Sequence, residues 1–333
     1  MPPAFLPTKP RIVPSDWTVV PATHPPLRGG EPVAIQMSDG AILRGEWLCR
    51  SDKPVAVVAL SHAMMVDRRT LDTPSGRGLL SSLLSRDLKV LWFDQRGHGQ
   101  SVPSVNEGAS WDYDTLVHDT GCISAYLASV EPNLPQIAMG HSLFGHLALA
   151  WLSLAALQAE LSAFDGVVAL ASSIWLDELE PSKLRRLLKR ASFQALLWAS
   201  LPSGYFPSRK LGVGTVDEPR PYLRQMGSWV SHNQWTDRRG SSYLPGLAKV
   251  SVPILSVAGQ GDRLLSTPHV QLRLWARTNG PLEHWQLGRR FGDAIDPNHM
   301  QVVTSSKLRP RWDSIADWVA TPGRFDSVGG QRR

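Results

Sequence analysis

Cysteine is scarce in this chain of 333 residues, and long apolar runs are missing from it. Two cysteines, Cys49 and Cys122, are too few to staple a chain of this length, which favours a reducing compartment and offers no thiolate metal site. No run approaches the ~18 apolar residues of a membrane-spanning helix, so we expect no stable membrane insertion. The start of the sequence shows no secretory signal pattern. These absences predict a cytoplasmic protein.

The net charge is positive, and the basic residues are distributed along the whole chain. The formal net charge is +6, and the arginines do not cluster with aromatic residues on one face. This distribution indicates a diffuse positive surface and argues against a nucleic-acid partner. An apolar fraction of 42% is enough for a sizeable core. The length suits one large α/β domain with an insertion, or two small domains.

A strand, a sharp turn and a helix are predicted around Ser142. An apolar run ends at Gly140, and apolar residues at helical spacing continue from the serine to Trp151. A serine at such an apex presents its hydroxyl at the end of a sheet. Because a serine hydroxyl is a poor nucleophile without a base, the rest of the chain would have to supply a histidine, an acid and an oxyanion site. The alternative is a buried turn with an inert serine.

Buried strands alternate with helices on both sides of this turn. The sequence predicts a hairpin at 33–47, strands at 55–60, 89–93, 166–170, 253–258 and 283–287, and helices at 75–88 (with Ser75 as a possible N-cap) and 113–130. Such alternation predicts a mostly parallel sheet covered on both faces. Ligands bind at the carboxyl ends of the strands in sheets of this kind, which is where Ser142 falls.

Four motifs together resemble the α/β-hydrolase superfamily. They are the turn at Ser142, a D-x-R-G-x-G-x-S string at 94–101, a Gly-x-Gly before Asp262, and a late histidine, His299. The resemblance implies an α/β-hydrolase fold, with a mostly parallel central sheet, helices on both faces and a helical cap insertion. It also implies that the 94–101 string is a structural turn below the site.

One position departs from the superfamily motif. The usual turn is G-x-S-x-G, whereas here Phe144 stands two residues after the serine and glycine follows only at 145. We expect Phe144 to find room over the small run at 169–173. Residues 62–72, 211–214 and 219–221 further resemble an uncharacterised cytoplasmic subgroup of predicted serine hydrolases.

The resemblance assigns roles to three distant side chains. Ser142 would be the nucleophile, His299 the general base, and Asp262 the acid that orients the base. The chain order serine, aspartate, histidine is that of α/β-hydrolases. Three other aspartates remain rivals for the acid, namely Asp177, Asp293 and Asp296.

The resemblance also implies an oxyanion hole and a substrate surface. The backbone N–H groups of Leu143 and Met64 would stabilise the negative oxygen of the tetrahedral intermediate. Met65, His141 and Trp175 are predicted to contact the substrate. Neither a metal nor an organic cofactor is implied.

Composition and motif positions predict the organisation of the chain. We expect an irregular proline-rich arm at 1–30, a core made of 31–174 and 250–322, a cap at 175–249, and a flexible tail at 323–333. Inside the cap, a basic amphipathic helix begins near Lys183. As part of a lid, its apolar side would cover the site and its charged side would face solvent. A membrane or nucleic-acid contact is the less favoured reading of this helix.

These observations predict a serine hydrolase that cleaves an ester, thioester or related acyl bond of a small-molecule substrate. Two alternatives stay open. The first is an acyltransferase on the same triad, in which another nucleophile replaces water. The second is a non-catalytic ligand-binding protein of this fold, which the substitutions at Phe144 and Ala63 would favour. The sequence leaves the oligomeric state open.

Overall fold

The computed structural model describes residues 16–73, 76–158, 164–321 and 323–324. Within them the chain forms one sheet of nine strands, a separate two-stranded ribbon, and helices on both sides of the sheet. The predicted arm up to residue 15, the possible N-cap Ser75 and the predicted tail from residue 325 lie outside the described residues. In the described part, no helix combines the length and apolar character needed to cross a membrane.

The central sheet is mixed at one edge and parallel elsewhere. Its strands are β1 (Trp17–Val20), β2 (Glu31–Met37), β3 (Ile42–Leu48), β4 (Ala56–Ser61), β5 (Leu88–Phe93), β6 (Gln136–His141), β7 (Gly166–Leu170), β10 (Ile254–Gly259) and β11 (Leu282–Leu287), with β8 (Tyr205–Phe206) and β9 (Glu218–Pro219) forming the ribbon. The order across the sheet is β1-β2-β3-β5-β4-β6-β7-β10-β11. Pairing is antiparallel from β1 to β5 and parallel from β5 to β11.

Helices cover both faces of this sheet, as predicted for the α/β-hydrolase fold. They are α1 (Leu79–Leu83), α2 (Tyr113–Val130), α3 (Leu143–Leu157), α4 (Lys183–Ala199), α5 (Arg220–His232), α6 (Pro268–Trp275), α7 (Gln301–Thr304) and α8 (Arg309–Ala320). Alternate side chains of β4 enter different cores: Val57 joins α2 and α3, while Val58 joins α1 and α8. A strand buried on both faces reads as a continuous apolar run, which is why it could be recognised from sequence.

The strand order changes direction between β4 and β6. The chain leaves β4 toward β5 on one side and leaves β6 toward β7 on the other. Loops that diverge in this way open a crevice at the carboxyl ends of the two strands. The loop after β4 carries Met64, and the turn after β6 carries Ser142, so both predicted site elements border this crevice.

Two expectations about the chain's organisation are wrong in part. Within the predicted irregular arm, residues 17–20 form the edge strand β1 against β2. A strand of four residues is too short for its alternation to be recognised from sequence. In the structure, Trp17 of this strand makes a T-shaped contact with Tyr126, with 5.5 Å between the ring centroids. In the cap, Leu184, Leu187 and Leu188 of α4 face solvent instead of the site, as described below. The predicted cap limits at 175 and 249 stay a prediction.

Gly121 tests how tightly α2 and α3 pack. A Cβ at this position would overlap the buried ring of Trp151 on α3. We expect Gly121→Ala to lower the free energy of unfolding by about 1–3 kcal/mol, because overpacking outweighs the better helix propensity of alanine. Urea unfolding measures the change.

Gly227 on α5 is the matched control. A Cβ there would meet only the flexible Leu197 side chain, 3.1 Å from its Cδ1. Gly227→Ala should therefore leave stability unchanged or raise it by up to about 1 kcal/mol. Equal effects of the two changes would contradict the packing argument.

Candidate active site

Ser142 occupies a strained turn between β6 and α3. Its backbone angles are φ 49° and ψ −101°, a conformation that residues other than glycine rarely adopt. Strain of this kind costs on the order of 1–3 kcal/mol and persists only when the surroundings impose it. Here the Ser142 N–H donates to the Leu170 carbonyl at 2.8 Å, and the Ser172 hydroxyl donates to the Ser142 carbonyl at 2.7 Å. Both backbone polar groups of Ser142 are thus hydrogen-bonded, its N–H to the end of β7 and its carbonyl to a residue just after that strand.

Two glycines make room for this turn. A Cβ at Gly140 would overlap the Gly145 amide nitrogen, and one at Gly145 would lie 2.6 Å from the Ser172 hydroxyl. Gly145 therefore does what the second glycine of the usual motif does, one position later. The expected position of Phe144 over the small run at 169–173 stays a prediction. The Phe144 ring is buried edge-on against Phe93, 5.3 Å between ring centroids.

Asp262 and His299 are hydrogen-bonded to each other. His299 Nδ1 donates to Asp262 Oδ2 at 2.6 Å. The N–H groups of Leu265 and Ser266 donate to the same carboxylate at 2.9 and 3.0 Å. Burial alone would raise the pKa of Asp262, but the His299 hydrogen bond and charge, together with these amides, hold it below its usual range. Asp262 is therefore an ionised partner for the imidazole at neutral pH.

Glycines bring the loops of the acid and the base together. A Cβ at Gly259 would overlap the Pro297 carbonyl, and one at Gly261 would overlap the Asp296 carbonyl. The Gly261 N–H also donates to the Pro297 carbonyl at 3.0 Å. The Gly-x-Gly before Asp262 thus has a physical purpose: it lets the loop after β11 pass close enough for residue 299 to reach the acid.

The three rival aspartates are engaged elsewhere. Asp293 accepts from Arg311 Nε at 2.6 Å, Asp296 accepts from the Arg289 N–H at 2.9 Å, and Asp177 pairs with Arg190. Their positions support Asp262 as the acid.

His299 also lies against the residue that precedes the serine. His141 Nε2 donates to the His299 carbonyl at 3.0 Å, and the two rings are 5.1 Å apart. Burial, and then the charge of His299, lower the pKa of His141 to about 3, so its ring stays neutral. Among the hydrogen bonds of the described residues, none joins the Ser142 hydroxyl to the His299 ring. The structure therefore brings the acid and the base together beside the serine, without a hydrogen bond from the Ser142 hydroxyl to the His299 ring.

His141 and Trp175, two of the residues predicted to bind substrate, have structural partners. The His141 ring is fully buried under His299. Trp175 Nε1 donates to the carbonyl of Leu265 on the acid loop at 2.7 Å, and its ring packs on Phe193 of α4. Both positions support the acid and base loops, and a direct substrate contact by either residue stays a prediction.

Met65, the third predicted substrate residue, is fixed by its backbone. It has a positive φ of 61°, and its carbonyl accepts from the N–H groups of Thr215 and Val216 at 2.8 and 3.0 Å. Its own N–H donates to Glu218 Oε1 at 2.6 Å. The loop after β4 is therefore tied to residues 215–218, which belong to the predicted cap.

The neighbouring N–H groups are the predicted oxyanion donors. Within the described residues no hydrogen bond uses the Met64 N–H. Leu143 is the first residue of α3, where backbone N–H groups have no partner inside the helix. Both predicted donors are thus available to a ligand.

A buried ion pair that could not be predicted from the sequence lies beneath this loop. His98 donates from Nδ1 to the Arg96 carbonyl at 2.7 Å and from Nε2 to Glu218 Oε1 at 3.0 Å. Both partners are hydrogen-bond acceptors, so the arrangement suits an imidazolium, which donates from both ring nitrogens. Burial opposes its charge, but the charge and hydrogen bond of Glu218 outweigh burial and raise the pKa of His98. One carboxylate thus holds both His98 and the Met65 amide.

The D-x-R-G-x-G-x-S string is a structural turn, as its resemblance implies. Asp94 is buried, accepts from Arg68 Nη1 at 2.6 Å, and accepts from the Gln100 N–H at 2.9 Å. Gly97 and Gly99 adopt positive φ, and a Cβ at either would overlap the Trp111 ring or the Asp94 carboxylate. The string therefore shapes the turn that presents His98 to Glu218.

A sheet of this order, with a strained serine at its switch point and an aspartate–histidine pair beside it, is the architecture of the α/β-fold serine hydrolases, and this chain is an enzyme of that class. A family model described as serine aminopeptidase, S33, matches residues 53–277, and the chain belongs to that family. No curated protein matches its sequence.

Solved structures of distant sequence share the fold. An esterase from Pyrococcus furiosus is 19% identical with a TM-score of 0.54, over 90% of this chain and 94% of its own. A thermophilic esterase from Thermogutta terrifontis is 14% identical with a TM-score of 0.54, over 92% and 100%. A hydrolase from Pseudomonas aeruginosa PA01 is 20% identical with a TM-score of 0.51, over 87% and 98%. At these identities the likeness is one of fold.

Glu218→Gln tests the buried ion pair. The change leaves the His98 imidazolium without a counter-charge, and breaking a buried pair in this way typically costs about 3–5 kcal/mol of unfolding free energy. The matched control is Glu131→Gln, which removes the partly exposed pair with Lys89 and should cost less than about 1 kcal/mol. Urea unfolding at pH 6 measures both.

The difference in unfolding free energy between wild type and Glu218→Gln should depend on pH with a definite sign. Because folding raises the pKa of His98 above its ordinary value of 6.5, the stability it contributes is fully present below that pH. It is lost as the pH rises through the raised pKa. The gap between wild type and Glu218→Gln should therefore narrow at alkaline pH, and a gap that widens there would contradict a charged His98.

Proposed function

We propose that the enzyme cleaves an ester, thioester or related acyl bond through an acyl-enzyme on Ser142, with His299 as base and Asp262 as its orienting acid. The observation that carries the proposal is the 2.6 Å hydrogen bond from His299 Nδ1 to Asp262, formed beside the strained serine. With Nδ1–H committed to the acid, Nε2 is the free nitrogen that accepts the serine proton. The missing serine–histidine contact closes when substrate binds, as catalytic hydrogen bonds commonly tighten in the substrate complex.

The chemical steps use only these groups. Ser142 Oγ attacks the acyl carbon while its proton moves to His299 Nε2, and the resulting imidazolium is stabilised by the Asp262 carboxylate. The tetrahedral intermediate collapses, the leaving group takes the proton from His299, and the acyl group stays on Ser142. Water then gives a proton to His299 and attacks the acyl-enzyme, which releases the acid and restores the serine.

The oxyanion hole consists of the Leu143 and Met64 N–H groups. Leu143 contributes the open end of α3, and Met64 lies on the loop that Glu218 holds through Met65. Each such donor is worth on the order of 3 kcal/mol in the transition state. The half-buried side chains of Met64 and Met65 border the same crevice and suit an apolar acyl group.

The cytoplasm remains the proposed location. Both cysteines are free thiols in the structure, Cys49 exposed and Cys122 buried, and an unpaired set of this kind fits a reducing compartment.

A fluorophosphonate probe tests the nucleophile. We expect labelling of the wild type and none of Ser142→Ala, read by intact-protein mass spectrometry. Ser172→Ala removes a buried hydroxyl that supports the turn, and this variant should still be labelled. Labelling of Ser142→Ala at the wild-type rate, or none in the wild type, would overturn the proposal.

Asp262→Asn tests the acid, with Asp293→Asn as its matched control. Loss of the orienting carboxylate lowers kcat by about 10⁴-fold in related triads, because the imidazole is no longer held in the tautomer that accepts the serine proton. Asp293, bonded to Arg311, should tolerate the change within about threefold. The assay uses p-nitrophenyl esters of increasing acyl length alongside aminoacyl p-nitroanilides. Turnover confined to the anilides would replace the ester and thioester assignment with a peptidase.

A further inference from the structure

Helix α4 carries an apolar stripe that faces solvent. Four of its large side chains are exposed: Leu184 by 65%, Leu187 by 63%, Leu188 by 46% and Trp198 by 70%. Their spacing, completed by exposed alanines at 191 and 195, places all of them on one side of the helix. Single exposed leucines are common, but a stripe along 17 residues, or about 25 Å, is not.

The opposite side of α4 is anchored to the protein. Phe193 and Lys189 are buried, the Phe193 ring packs on Trp175 at 5.0 Å, and Lys189 Nζ donates to Glu180 at 3.1 Å. Turning the stripe inward would expose Phe193 and break the buried Lys189–Glu180 pair. The stripe therefore stays on the outside and is not a misplaced part of the core.

Basic side chains flank the stripe. Lys183 and Arg190 lie along one edge, Arg185 lies along the other, and α4 contains no acidic residue. Asp177 pairs with Arg190, and Glu180 is shared by Arg185 and Lys189, so two carboxylates from the loop before the helix face the five cations of α4. The surface is thus apolar in the middle and positive at its margins.

We propose that α4 docks on an anionic lipid surface. The leucines and Trp198 would enter the boundary between headgroups and acyl chains, and the basic margins would contact lipid phosphates. A helix that is apolar on one side and rich in Lys and Arg on the other lies in the membrane interface without crossing it. The proposal goes beyond the proposed function and does not depend on it.

The charge pattern favours lipid over a second copy of the chain. A symmetric dimer places the same surface on both partners, so the basic margins of two α4 helices would be brought together. Like charges in contact oppose association, whereas anionic headgroups favour it. The second copy becomes an outcome of the test.

Vesicle sedimentation with full-length protein tests the docking. We expect binding to vesicles of equimolar phosphatidylcholine and phosphatidylglycerol, weaker binding to phosphatidylcholine alone, and a loss of affinity as salt rises. The double change Leu184→Ser with Leu187→Ser should weaken binding by at least about tenfold. Lys183→Gln should weaken binding to the anionic vesicles by about fivefold.

The control removes two exposed leucines on other helices, Leu157→Ser on α3 with Leu272→Ser on α6, and should bind like the wild type. Circular dichroism confirms that each variant is folded. Three results would overturn the proposal: no binding by the wild type, equal loss in the control, or a wild-type dimer in light scattering that the Leu184 and Leu187 changes dissociate while vesicles recruit nothing.

Discussion

The left-handed backbone at Ser142 is the constraint on which the site depends. It lets β6 end and α3 begin within one residue, so that the hydroxyl projects at the switch point of the sheet. The Leu170 carbonyl and the Ser172 hydroxyl hold the turn, and the absence of a side chain at Gly140 and Gly145 makes the close approach possible. The strain, on the order of 1–3 kcal/mol, is a small cost beside the packing that imposes it.

Much of this fold could be predicted because its signals are local. Buried parallel strands read as apolar runs, and Gly-x-Gly before Asp262 marks a loop that must pass close to another. The contact between Met65 and Glu218 could not be predicted, since 153 residues separate the two and only the fold brings them together. The α4 helix shows a third case: its amphipathic pattern defines the apolar stripe, but Phe193 and Lys189, not the stripe, decide which side faces the protein.

Burial sorts the histidines around the site into different charge states. Desolvation lowers the pKa of His62, His141 and His146 to about 3, so these rings are neutral at physiological pH. His98 is equally buried, yet Glu218 raises its pKa. The raised pKa of His98 is therefore a consequence of one carboxylate.

The segment between β7 and β10 joins the proposed docking helix to the proposed oxyanion loop. It carries both the exposed stripe of α4 and the buried Glu218. If the whole segment left the sheet, His98 would lose its carboxylate partner and the Met65 N–H would lose its hydrogen bond. Losing these two contacts costs more free energy than exposing an apolar contact of similar size. A lipid surface that holds α4 would therefore hold a segment that stays closed on the loop.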